Sequence, residues 1–183
     1  MNKLLFHGSP KIVEKPLLYQ GKSSNDFGPG FYCSEDSDLA KEWAVSYNQN
    51  GYLNKYEINI EDLNVLDLTE EDDGLFKWIA LLLLNRPISI DLETKERFID
   101  LYKPNTFFTD IIIGYRGDSS FFSFLDEFLH SEMDQKILKK IIKNLLQKNR
   151  LRNLKLKSRK INLMTLNKEV IQMNNYLLLK KLS

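Results

Sequence analysis

Two aromatic residues, Tyr32 and Trp43, stand eleven positions apart in the stretch DFGPGFYCSEDSDLAKEW, Asp26 to Trp43. Gly28, Pro29 and Gly30 fit neither a helix interior nor a central strand, so they mark a tight, exposed bend. Phe31, Tyr32 and Cys33 suit a short strand. Ser34, Asp36 and Ser37 are each able to cap a helix, and Leu39, Ala40, Trp43 and Ala44 follow at helical spacing. A strand–helix corner of this kind would let the Tyr32 and Trp43 rings face each other. Two aromatic faces held apart by rigid elements form a slot for a flat ring. The alternative is a packed aromatic corner with no ligand, because a tryptophan taken alone is more often core.

Upstream, LFHGSP spans Leu5 to Pro10. A lone histidine is more often structural than functional. Here Gly8 follows His7, and a glycine permits close approach of backbone to a ligand.

These two stretches resemble the first and second motifs of ADP-ribosyltransferases of the diphtheria-toxin and poly-ADP-ribose-polymerase branch. The chain is also similar to a bacterial family catalogued only as a domain of unknown function, number 3990. The shared patterns are HGS, DFGxGFY, A-x-x-W-A, N-x-Y and GYR-x-D, over roughly Leu4 to Leu125. The resemblance implies an α+β fold of two small, mostly antiparallel sheets with a cleft between them, in one domain over residues 1–183. It implies transfer of ADP-ribose from NAD, the substrate, to a protein or nucleic-acid acceptor, with release of nicotinamide. A toxin-like role, restrained by a small antitoxin-like partner, follows from the same resemblance.

Carried over by motif, the first stretch supplies His7, Gly8 and Ser9. His7 would bond the adenosine-side ribose, and the Gly8 backbone would hold the nicotinamide carboxamide. The second supplies Phe31, Tyr32, Ala40 and Trp43, with Tyr32 and Trp43 sandwiching nicotinamide. Cleavage of the nicotinamide–ribose bond leaves a positively charged, oxocarbenium-like ribose. A third group must stabilise that charge. The family's end motif resembles L-G-x-Q-x-x-L-K-S, against RLRNLKLKS at Arg150 to Ser158 here, so Asn153 falls where a glutamine is expected. Asn153 is therefore the third catalytic candidate beside His7 and Tyr32, with reduced reach, and Gln147 is next in line.

Composition bounds the alternatives. A length of 183 residues and a hydrophobic fraction of 43% suit a single globular domain. The apolar run Trp78 to Leu84 is seven residues, against about 20 for a membrane-spanning helix. No secretory signal segment is expected, and Cys33 as the single cysteine suits a reducing cytoplasm. With two histidines and one cysteine, no metal site is expected. Residues 1–134 hold 12 Lys+Arg and 24 Asp+Glu, whereas residues 135–183 hold 14 Lys+Arg and only Glu169. A basic tail on an acidic body implies internal charge pairing or an anionic partner. The alternatives are a catalytically weakened relative that binds NAD, given Asn153 in place of the glutamine, and a nucleic-acid-binding module using that tail, although no nucleic-acid motif is present.

The elements that must position these residues follow from periodicity. Strands are expected at Lys3–Phe6, Pro16–Tyr19, Phe31–Cys33, Tyr52–Ile60, Asn64–Leu68, Thr109–Tyr115 and Leu151–Lys157. Helices are expected from about Asp36 to a glycine cap at Asn50-Gly51, and from Thr69 or Asp72 to Asn85. Further helices are expected within Ile88–Tyr102, after Ser119 or Ser120, and over Lys136–Lys148. Ser158–Ser183 is rich in Lys, Asn and Leu, without Gly or Pro, and no element is assigned to it.

Overall fold

The computed structural model describes residues 2–17, 21–45 and 50–116, the single positions 121, 125, 128, 129 and 140, and the backbone of 152–156 and 163–171. Two sheets organise the chain. The first has the order β1-β3-β7, from β1 (Asn2–Ser9), β3 (Gly51–Asn59) and β7 (Leu163–Ile171), all antiparallel. The second has the order β2-β6-β5-β4, from β2 (Phe31–Cys33), β6 (Arg152–Leu156), β5 (Ile111–Tyr115) and β4 (Val65–Asp67). Its pairs are antiparallel except β4 with β5, which is parallel. The helices are α1 (Ser37–Ala44), α2 (Gly74–Asn85) and α3 (Leu92–Tyr102). The class is α+β.

Strand alternation sends side chains to both faces of each sheet and so builds layers. Leu5, Tyr56 and Ile58 of the first sheet meet Phe31, Cys33, Ile111 and Ile113 of the second in one buried cluster. On the outer face of the first sheet, Leu53 packs with Ala40 and Ala44 of α1. On the outer face of the second, Ile112 packs with Trp78, Ile79 and Leu82 of α2, joined by Phe121, Leu125 and Leu129. The order is therefore helix, sheet, sheet, helix. Nine of the twelve α2 residues are buried, which is why its sequence is apolar all round rather than striped.

Several expectations need correction. Gly51 does not cap a helix. α1 stops at Ala44, Val45 is extended, and Gly51 opens β3. A Cβ on Gly51 would stand 1.8 Å from the Ala44 carbonyl oxygen, so this glycine serves close packing. The described part of the expected Pro16–Tyr19 strand, Pro16 and Leu17, is irregular. β7 lies where the sequence assigns no element, and it pairs with β3 from Gly51↔Ile171 to Ile58↔Leu163. Thus the basic tail contributes one strand to each sheet. The expected helix over Lys136–Lys148 falls outside the described residues, apart from Lys140.

Candidate active site

The two sheets are joined where β1 meets β2. Phe6 and Ser34 exchange backbone hydrogen bonds, both at 2.8 Å. One residue further on, His7 leaves this pairing, and its Nδ1 donates to the Tyr32 carbonyl oxygen at 2.7 Å. A carbonyl only accepts, so the proton sits on Nδ1 and Nε2 is the acceptor nitrogen of the neutral ring. Burial lowers the His7 pKa from its ordinary 6.5, against a smaller opposing effect of the Tyr32 bond. The ring is therefore neutral near pH 7. Phe31 backs it, with ring centroids 4.3 Å apart.

A cavity of about 670 Å³ opens at this junction, within the ~300–1,000 Å³ usual for small-molecule sites. His7, Phe31, Tyr32 and Trp43 all line it. Trp43 reaches it from α1, whose start is fixed by Asp36. The Asp36 carboxylate accepts from Asp38 N at 2.8 Å and Leu39 N at 3.3 Å. Much of the remaining wall is the segment between β1 and β2, including Val13, Leu17, Asn25 and Gly30.

The Tyr32 hydroxyl is engaged elsewhere. It donates to the Gly28 carbonyl at 2.5 Å and accepts from Phe27 N at 3.1 Å. Burial pushes its pKa up, so it stays protonated. Tyr32 therefore offers the cavity no ionisable oxygen. Gly28 has φ of +76°, the left-handed region open to glycine. The turn is thus built to receive the tyrosine hydroxyl.

Gly8, Ser9 and Ala40 do not line the cavity. A Cβ on Gly8 would stand 1.7 Å from the Ala40 carbonyl oxygen, so the missing side chain lets α1 seat on β1. Packing against α1 is the role that the geometry shows for Gly8. Ser9 is 8% exposed; its hydroxyl donates to the Lys11 carbonyl and accepts from Asn54 Nδ2 at 3.1 Å. Asn153 pairs with Gly114 in the β5–β6 ladder, two positions from the Lys155 that pairs with Tyr32. Its side chain, and Gln147 entirely, lie outside the described residues.

Three features around the cavity join distant parts of the chain. The N-x-Y pattern is a clamp: Asn54 Oδ1 accepts from Val13 N at 2.9 Å, and Tyr56 OH donates to Val13 O at 2.6 Å. Positions i and i+2 of a strand share a face, so both side chains fix the same residue of the cavity wall. The second is Asp26, 3% exposed, which accepts from Arg86 Nε at 2.6 Å and Nη2 at 2.5 Å. The third is Arg116, which donates to Glu42 at 3.0 Å.

The family model described as "Protein of unknown function (DUF3990)" matches residues 3–167. The chain belongs to this family. The match reaches well past Leu125, through β6 and into β7, so likeness does not fade at the basic tail. No curated protein and no solved structure matches the chain. Among the described residues, no helix is long and apolar enough to cross a membrane.

Proposed function

We propose that this chain is an ADP-ribosyltransferase, using NAD as substrate and a protein or nucleic acid as acceptor. The observation that carries the reading is the shared cavity of His7, Tyr32 and Trp43. The bond broken is that between the nicotinamide ring nitrogen and the ribose anomeric carbon. Its electron pair leaves with nicotinamide and cancels the ring's positive charge. An acceptor nucleophile bonds the anomeric carbon and gives up its proton.

Each residue has a separate task. Tyr32 and Trp43 present aromatic faces to the flat leaving group. His7 Nε2 accepts a ribose hydroxyl, which needs the neutral tautomer that its bond to Tyr32 O supports. Holding reactants in one geometry supplies a large part of such a rate enhancement. Asn153 is the candidate for steadying the ribose charge. Gly8 is assigned to seating α1, and through it Trp43, in place of a direct contact. We place this reading ahead of a nucleic-acid-binding tail because residues 152–156 and 163–171 are built into the sheets. A toxin-like role with a small restraining partner belongs to the same proposal.

The test is incubation of the protein with NAD labelled in its ADP-ribose part and whole-cell lysate, then separation of protein from nucleic acid. The expected result is label in one macromolecular fraction, with free nicotinamide in equal amount. Nicotinamide release without macromolecular label would reduce the activity to NAD hydrolysis, and no release at all would refute it.

A further inference from the structure

The cavity concentrates positive charge that the ring slot leaves unexplained. Residues 1–134 carry twice as many acids as bases, 24 against 12. Among the described residues lining the cavity the balance inverts. The cations are Lys11, Lys15, Arg86 and Arg116, and the carboxylates are Glu14 and Asp26. A surface drawn evenly from this acidic body would show the opposite ratio.

The two arginines are set apart from the lysines by how they are held. Arg86 follows the last residue of α2, and Asp26 takes the Nε–Nη2 edge of its guanidinium. The Asp26 side chain is 4% exposed and that of Arg86 is 35% exposed, so of this pair of lining residues the cation is the more accessible member. Arg116 follows β5 and is held through Nη1 by Glu42, the neighbour of Trp43 on α1. Glu42 is not among the lining residues, whereas Arg116 is. Each planar fork is therefore fixed from one side by a carboxylate on a different element. A guanidinium carries five N–H donors in that fork and suits phosphate oxygens.

We propose that Arg86 and Arg116 form an anion subsite for two linked phosphates, the diphosphate of a dinucleotide whose flat ring enters between Tyr32 and Trp43. Identifying that dinucleotide as NAD rests on the function proposed above; the anion subsite does not. Two arginines from separate elements can each take one phosphate, which a ligand with a single phosphate cannot satisfy. Oriented charge-assisted hydrogen bonds of this kind are the strong ones.

The test is calorimetric titration of the whole chain with inorganic pyrophosphate, NAD and nicotinamide. The proteins are wild type, Arg116→Gln and Arg86→Lys, each first shown folded by its thermal transition. Arg86→Lys keeps a charge opposite buried Asp26. Arg116→Gln breaks only a half-exposed pair, so it remains informative even if the Arg86 variant fails to fold. Pyrophosphate is expected to bind wild type, and both variants should bind pyrophosphate and NAD about tenfold more weakly. Nicotinamide affinity should stay the same. If NAD binds wild type but Arg116→Gln binds NAD and pyrophosphate equally well, the subsite is overturned and the transferase reading stands. If pyrophosphate binds and weakens in the variants while NAD does not bind, the subsite stands and the NAD reading fails. Absence of binding by both probes would overturn both.

Discussion

His7 ties the local chemistry of the site to pH. Its Nδ1–H is spent on the Tyr32 carbonyl, and burial makes the charged ring unfavourable. Its folded pKa therefore lies below 6.5, where the unfolded chain would titrate. Between those two values the unfolded state binds more protons, so folding stability rises with pH across that window. The His7 contribution is complete above 6.5, is lost as pH falls toward the folded pKa, and is constant below it. Urea denaturation from about pH 7 to about pH 5 should show a steeper loss for wild type than for His7→Gln. Parallel curves would mean that His7 is not buried as a neutral ring. Tyr32, Trp43 and His7 were named from motif resemblance, since each taken alone is more often structural, and the fold brings all three to one cavity. Asp26 with Arg86 could not be named, because the partners lie 60 residues apart and only the fold unites them.

α1 shows how an element transmits a small residue's effect to the site. It lies on β1 and β3 with Ala40, Ala44 and Leu53 in one buried cluster. Its path is set by two glycines whose added Cβ atoms would stand 1.7 Å and 1.8 Å from its carbonyl oxygens, Gly8 and Gly51. Gly8→Ala must displace helix backbone, which is stiffer than a side chain. It is expected to cost about 3 kcal/mol in urea denaturation and to move Trp43 with the helix. An unchanged denaturation midpoint would show that α1 is not seated as described. Elements with local signals were legible: the Asp36 cap, the Phe31–Cys33 strand and the leucine-rich α2 all stand where expected. β7 was not, because its run LMTLNKEVI lacks clean alternation and its pairing with β3 is fixed over a hundred residues away. The misplaced end of α1 has a similar cause. Asn50-Gly51 has the composition of a helix cap, yet close packing of Gly51 against Ala44 explains the glycine.

The whole molecule places its cavity where two sheets part, with helices on their outer faces. The acidic part supplies most strands, and the basic part completes each sheet with one. The abrupt change of charge sign therefore marks no structural boundary, because backbone pairing makes β6 an interior strand. The central claim is that the nicotinamide ring of NAD enters between Tyr32 and Trp43. The two tryptophans allow a direct measurement, because Trp43 lines the cavity and Trp78 is fully buried away from its wall. Tryptophan emission is followed as NAD is raised to about 1 mM, in wild type and in Trp43→Phe, with binding checked in parallel by calorimetry. The account predicts saturable quenching in wild type that is lost in Trp43→Phe, while that variant still binds NAD through its remaining ring. Wild-type emission unaffected by NAD, or quenching that survives in Trp43→Phe, would contradict it.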